Sequence, residues 1–132
     1  MRPSTIRVLV VDDYEPFRQL VCSTLGKSSE LQIIAETADG LDAVLKAEDL
    51  KPDLILLDIG LPRLNGIEVA RRIRRLSPES KIIFLSQESS PDVIQVALNL
   101  GARGYVVKTT AGTDLLAAVD AVLQGKQFVS SI

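Results

Sequence analysis

Residues Asp53 to Pro62 read DLILLDIGLP, and this stretch decides the fold. Four apolar residues, Leu54 to Leu57, lead into one carboxylate, Asp58, and Gly60 and Pro62 then break the run. An apolar run of this length between punctuating residues fits a strand buried on both faces, the kind that parallel sheets use. A buried helix segment would share the hydrophobicity but not the short length or the Gly60/Pro62 stop. A charge at the end of such a strand is costly unless that end meets solvent, a metal ion or a reaction. The chain therefore reads as a frame for Asp58.

Working outward, Ile6 to Val11 is a β-branched strand ended by Asp12 and Asp13. Pro16 suits the first turn of the helix that follows, with Phe17, Leu20, Val21, Thr24 and Leu25 on one face and Gly26 at its stop. Cys22 falls on the flank of that face and reads as packing rather than as a reactive thiol. Leu31 to Ala35 is a weaker strand, Asp39-Gly40 a turn, and Ala43, Val44, Ala47 and Leu50 a second helix closed ahead of Pro52. Beyond the central strand, Asn65 with Glu68 resembles a capping box opening a helix. Val69, Ala70, Ile73 and Leu76 line the core side of that helix, and Arg71, Arg72, Arg74 and Arg75 its other side. Lys81 to Leu85 is a fourth strand delivering Ser86. The next helix carries Val93, Val96, Ala97 and Leu100 as its expected core stripe, with Ile94 and Leu98 as surplus apolar surface. Tyr105 to Val107 is a fifth strand ending at Lys108, and Leu115, Leu116, Val119, Val122 and Leu123 mark the last helix, stopped by Gly125.

Five strand–helix units in strict alternation argue for a parallel sheet with helices on both faces. Right-handed crossovers with one reversal give a doubly wound, flavodoxin-like α/β fold with strand order 2-1-3-4-5. In such a sheet all strands end at one edge. Asp12, Asp13, Asp58, Ser86 and Lys108 therefore share the carboxyl edge, at the switch point where these folds bind ligands.

Carboxylate pairs about 4 Å apart repel by roughly 4 kcal/mol each at an effective dielectric near 20, before relaxation. One ammonium, Lys108, offsets only part of that. A hard divalent cation with oxygen ligands offsets the rest, and a few carboxylates plus water is the magnesium pattern. That arrangement suits phosphoryl transfer: Asp58 attacks, Mg²⁺ and Lys108 neutralise the equatorial oxygens, and Ser86 donates a hydrogen bond to them.

Composition narrows the classes further. At 132 residues, 46% hydrophobic and 24% charged, the chain suits one globular domain. A net charge of -2 gives no electrostatic case for nucleic acid or membrane binding. The single cysteine excludes an internal disulfide and suits a reducing compartment, so a cytoplasmic location is expected. The apolar runs are far shorter than a membrane span. The chain has no histidine, which removes histidine acid–base chemistry and histidine metal ligands together.

The acidic pair after the first strand, Asp58 after the third, Ser86 after the fourth and Lys108 after the fifth resemble the receiver domain of two-component response regulators, the CheY-like family. The resemblance covers roughly Ile6 to Gly125. It implies that Asp58 is the phosphoacceptor and that Asp12, Asp13, Asp58 and the backbone carbonyl of Gly60 hold Mg²⁺. It implies that Lys108 pairs with the phosphoryl group, and that Ser86 and Tyr105 form a switch pair, Ser86 moving toward the phosphoryl group as Tyr105 turns inward. By the same resemblance the chain is no enzyme in the usual sense but catalyses its own phosphorylation and dephosphorylation, with a sensor histidine kinase as partner. The segment GYVVKTTAGTDLLAAVDAVLQGKQFVS is similar to the LuxR-type transcription regulators, whose receiver precedes a helix-turn-helix domain. Thr109 stands where many other receivers carry a proline after the lysine, which removes the expectation of a cis peptide there. Residues 1–127 are thus expected to form the receiver and 128–132 the start of a linker, with the chain truncated ahead of a DNA-binding output domain. DNA would be reached only through that domain.

The arginines at 71, 72, 74 and 75 read as a solvated helix face, with kinase docking or an interdomain contact as the functional alternative. The surplus Ile94 and Leu98, and the small face Ala117 and Ala121, mark the fourth and fifth helices as candidate homodimer surfaces. Three other functions compete. A flavodoxin-like electron carrier needs a Ser/Thr/Gly-rich phosphate loop where this chain has Asp12-Asp13-Tyr14-Glu15. An aspartyl phosphatase resembles this site less, because its nucleophile follows the first strand and its second aspartate lies two residues on. A stand-alone or pseudo-receiver interaction module needs no reaction, yet all five site residues are present.

Overall fold

The computed structural model describes residues 5–130. The elements run β1 (Ile6–Val11), α1 (Glu15–Leu25), β2 (Leu31–Thr37), α2 (Gly40–Leu50), β3 (Leu54–Asp58), α3 (Gly66–Leu76), β4 (Lys81–Ser86), α4 (Pro91–Asn99), β5 (Gly104–Val107), α5 (Ala111–Leu123) and β6 (Phe128–Val129), with one 3₁₀ turn over Lys108–Thr110. The sheet is parallel in the order β2-β1-β3-β4-β5-β6. The expected order 2-1-3-4-5 holds, extended by one strand at its end.

Alternation along each strand sorts the core into two layers. Leu9, Val11, Ile55, Leu57, Ile82 and Phe84 face α2, α3 and α4, where Ala43, Ala47, Val69, Ile73 and Ala97 meet them. Val8, Val10, Leu54, Leu56, Ile83 and Leu85 face α1 and α5, against Val21, Leu25, Leu115, Val119 and Val122. Leu54, Ile55, Leu56 and Leu57 are all fully buried, so β3 is wet on neither face. Each such side chain contributes about 2 kcal/mol by leaving water. This is the energetic meaning of an unbroken apolar run.

Helix ends follow local chemistry. Asn65 Oδ1 accepts from the Glu68 N–H at 3.1 Å, capping α3. The reciprocal half of the capping box is not formed, because the Glu68 carboxylate instead pairs with Arg71 and Arg72 at 3.3 Å. Pro91 opens α4 and Pro16 lies in the first turn of α1. Asp39 Oδ1 accepts from Leu41 N–H at 3.0 Å to start α2.

Three expectations about helix faces are corrected. On α4, Ile94 and Ala97 are buried and Leu98 packs against the same core, while Val96 is 47% exposed. Two overlapping stripes share Val93 and Ala97, and helical spacing alone does not say which way the helix rolls. Docking on the sheet rolls it toward Ile94, so Ile94 and Leu98 are core rather than partner surface. On α1 and α5, Leu20 and Leu116 stand exposed at the margins of their stripes. Cys22 is half-buried, and burial first, with the nearby Glu36 carboxylate, pushes its thiol up to about 11. Arg18 acts the other way and is outweighed, so the reading of Cys22 as unreactive packing stands.

The segment expected to begin a linker behaves differently from that expectation over its described part. Phe128 and Val129 pair with Gly104 and Tyr105 as a sixth strand, and Ser130 is buried. A two-residue strand lies below the length at which alternation can be recognised in sequence. Ser131 and Ile132 lie outside the described residues. Among the described residues no helix is long and apolar enough to cross a membrane, and no cis peptide occurs, Lys108–Thr109 included.

Candidate functional site

Parity along the strands decides which way the charged side chains point. Asp12 continues the face of Val8 and Val10, Asp58 that of Leu54 and Leu56, and Lys108 that of Val106. All three therefore lie on the α1/α5 side of the sheet, just past its carboxyl edge. Ser86 continues the face of Ile82 and Phe84, and Tyr105 lies on the same face, toward α4. These five side chains form two adjoining groups, and Asp13, exposed past the end of β1, joins the first.

In the first group, Lys108 Nζ lies 2.8 Å from Asp12 Oδ2 and 3.5 Å from Asp58 Oδ1. Asp12 is fully buried and Asp58 nearly so, whereas Asp13 is exposed. Carboxylate oxygens of Asp12, Asp13 and Asp58 all lie within 4.8 Å of one another. Asp12 Oδ1 accepts from the Tyr14 N–H at 2.9 Å, which also turns the chain out of β1. Asp12 Oδ2 is buried with no aligned hydrogen-bond donor: the lysine approaches it by charge alone. Asp58 Oδ1 takes both the Gly60 N–H, at 3.2 Å, and the lysine, leaving Oδ2 without a hydrogen bond or ion pair among the described residues.

Burial raises the Asp58 carboxyl to about 6, aided by the Asp12 and Asp13 charges and opposed by Lys108 and the Gly60 N–H. One ammonium does not compensate three clustered acids. A buried acceptor atom lacking a donor, beside two more carboxylates on a rim open to solvent, is a donor set that fits a hard divalent cation. Gly60 is exposed and lines the same cleft, with nothing within 4 Å of where a Cβ would stand.

In the second group, one residue bridges the two hydroxyls. Ser86 Oγ accepts from the Glu88 N–H at 3.0 Å, and Tyr105 Oη donates to the Glu88 carbonyl at 2.6 Å. The Tyr105 ring is fully inside, packed 6.5 Å from the Phe84 ring. Burial raises its phenol above the ordinary value. Asp58, Gly60, Ser86, Glu88 and Lys108 line one cleft of about 510 Å³, together with Asp13 and Tyr14.

Three contributors escaped the sequence reading. Phe17 places its ring under the lysine, with Nζ 4.6 Å from the ring centroid. Its spacing marks it only as helix core, and no one-dimensional signal marks a ring beneath a cation. Gly66 opens α3 where its backbone donates to the Ile59 carbonyl at 2.7 Å, and a Cβ there would overlap the Asp58 carbonyl and come 2.7 Å from Ile59 Cα. Glu88 acts through its backbone, which residue type does not reveal.

The sequence matches the response regulator receiver domain family over residues 8–120. It is 35% identical over 122 residues to the response regulator protein VraR of Staphylococcus aureus, covering 92% of this chain and 58% of that protein. The chain thus spans a little over half the length of the curated relatives it matches. Among solved structures it superposes on the signal receiver domain of NarL from Mycobacterium tuberculosis with a TM-score of 0.87 and 30% identity, over 94% of this chain and 100% of that one. A two-component response regulator of the LuxR family from Aurantimonas sp. SI85-9A1 gives a TM-score of 0.89 at 29% identity, over 95% of this chain and 89% of that one.

Proposed function

The chain belongs to the response regulator receiver domain family, and we propose that Asp58 is the side chain on which it accepts a phosphoryl group. The observation that supports this best is Lys108 Nζ, held between Asp12 Oδ2 and Asp58 Oδ1 with Asp58 Oδ2 left free. In the step proposed, Oδ2 attacks phosphorus and an acyl phosphate forms. The bond to the donor breaks, and the leaving group departs with the electron pair. Lys108 moves from offsetting Asp58 to offsetting the new phosphoryl oxygens. Ser86 Oγ, at the end of the adjoining strand, donates to one of them after leaving the Glu88 N–H. Asp12, Asp13, Asp58 and the Gly60 carbonyl would hold a magnesium ion, which when bound withdraws charge from the transferred group. Hydrolysis by water later returns Asp58 to its carboxylate, so the chain catalyses both halves of its own cycle.

The donor proposed is a sensor histidine kinase, the partner that membership of the response regulator family implies. Loss of the Ser86–Glu88 contact frees the loop that also holds Tyr105, and this is the switch proposed for the pair. Tyr105 is already inward, so phosphorylation changes the loop that holds it rather than drawing the ring in. The output is transcription through a DNA-binding output domain, in the cytoplasm, with a homodimer forming through the α4 or α5 surface. Exposed Val96 and Leu116 support those two faces.

Mass spectrometry after incubation with acetyl phosphate and Mg²⁺ tests the central step. Wild type gains one phosphoryl mass and Asp58→Asn gains none. An unchanged wild-type mass, or an equal gain in Asp58→Asn, rules the assignment out.

A further inference from the structure

We infer that Ser130, outside the five strand–helix units, is a positioning residue for Lys108, holding the backbone just before it and meeting the Thr110 hydroxyl just after it. The inference rests on the reading of Lys108 and Asp58 as the reacting pair.

Ser130 is 3% exposed, a buried hydroxyl just beyond the two-residue strand β6. β6 extends the ladder along the outer edge of β5: the Phe128 N–H donates to the Arg103 carbonyl at 3.1 Å, and the Ser130 N–H to the Tyr105 carbonyl at 2.9 Å. The next outward-facing donor on β5 is the Val107 N–H. It donates to Ser130 Oγ at 3.0 Å, so a side-chain oxygen stands where a longer strand would offer a carbonyl. Val107 immediately precedes Lys108.

The far side of the lysine is held from the same place. Thr110 Oγ1 lies 3.5 Å from Ser130 Oγ and 3.2 Å from the Val107 carbonyl. It donates to Asp114 Oδ2 at 2.7 Å, joining the 3₁₀ turn to the first turn of α5. The hydroxyls of Thr110 and Ser130 hold the Asp114 carboxyl below the usual carboxylate range, as expected where they donate to it. Lys108 is thus carried on a short span whose backbone Ser130 holds at Val107, and whose far end, Thr110, is tied to Asp114 with its hydroxyl 3.5 Å from the same serine oxygen.

The consequence is geometric. Nζ must bridge two carboxylates and rest over Phe17 at once. The direction in which the backbone leaves β5 sets whether the side chain reaches both. Catalytic positioning is sensitive to displacements of about 1 Å, and a hydrogen bond lost on this span permits such a displacement.

The test is a double-mutant cycle on the rate of phosphoryl uptake from acetyl phosphate with Mg²⁺, in wild type, Ser130→Ala, Lys108→Gln and the double variant. Ser130→Ala should label about fivefold more slowly, the size of one lost hydrogen bond. Added to Lys108→Gln, it should cost nothing further. Equal rates in wild type and Ser130→Ala overturn the inference. So does the same slowing in the Lys108→Gln background, because a merely structural role would act without the lysine. If Ser130→Ala fails to fold, Thr110→Val removes the other arm, and its effect must likewise vanish without Lys108; an unchanged rate in Thr110→Val overturns the inference. A wild type that takes up no label overturns the reading of Asp58 itself, and is told apart because the cycle then has no signal in any corner.

Discussion

At the residue scale the site is an electrostatic conflict only partly resolved by protein groups. The Asp58 carboxyl lies near 6, above the ordinary 3.8, with burial as the first cause. The native state therefore holds a proton that the unfolded chain has released between about pH 4 and 6. Unfolding is then favoured progressively as pH rises through that window, and the penalty is fully present above it. In chelator, Asp58→Asn should be more stable than wild type at pH 7.5, by on the order of 1–3 kcal/mol, and the gain should disappear at pH 4. Denaturant melts at the two pH values check this; an equal gain at both would show that desolvated charge is not the cause. Lys108 acts in the opposite sense. Lys108→Gln leaves buried Asp12 with no counter-charge and should cost about 3 kcal/mol in chelator. Millimolar Mg²⁺ should recover part of that loss, and an identical loss with and without Mg²⁺ would contradict the shared-charge account.

At the element scale, packing settles what periodicity leaves open. Val96 and Ile94 are chemically alike, yet α4 buries Ile94 and exposes Val96. Ile94→Ala should cost about 2–4 kcal/mol, and Val96→Ala should stay within about 0.5 kcal/mol. Urea unfolding of the two variants distinguishes them, and equal losses would mean that the helix is rolled otherwise. The start of α3 is set by contact with the site itself. Gly66 lies where any Cβ would overlap the Asp58 carbonyl. Gly66→Ala should therefore lower stability by about 1–3 kcal/mol and slow phosphoryl uptake together, as the β3 end is pushed aside. Uptake at the wild-type rate in a destabilised Gly66→Ala protein would separate the two effects and remove Gly66 from the site.

For the whole molecule, the sheet carries a rim of charge between two helical layers. Asp12, Asp58 and Lys108 belong to the α1/α5 layer, Ser86 and Tyr105 to the α2–α4 layer. Glu88 joins Ser86 to Tyr105 within the second of these layers. A divalent ion bound only by the folded chain should raise stability by RT ln(1 + [L]/Kd), about 1.4 kcal/mol at tenfold over Kd. The melting temperature should then rise by roughly 3–5 °C in Mg²⁺. The rise should be lost in Asp12→Asn with Asp13→Asn, and a melting temperature indifferent to Mg²⁺ would count against the acid cluster as its site.

The alternation of apolar runs and helical stripes sufficed, without coordinates, to establish the α/β class, the strand order and the edge where Asp12, Asp13, Asp58, Ser86 and Lys108 end their strands. The class and the edge follow from period and punctuation, which are properties of neighbouring residues, and the order from right-handed crossovers with one reversal. Only the tertiary structure decided how α4 rolls, that Phe17 lies under the Lys108 ammonium, that Gly66 touches the backbone of Asp58 and that Ser130 returns to the edge of β5. Each of these depends on distance between residues remote in the chain, or on a backbone group that every residue type carries alike, and neither leaves a mark on local pattern.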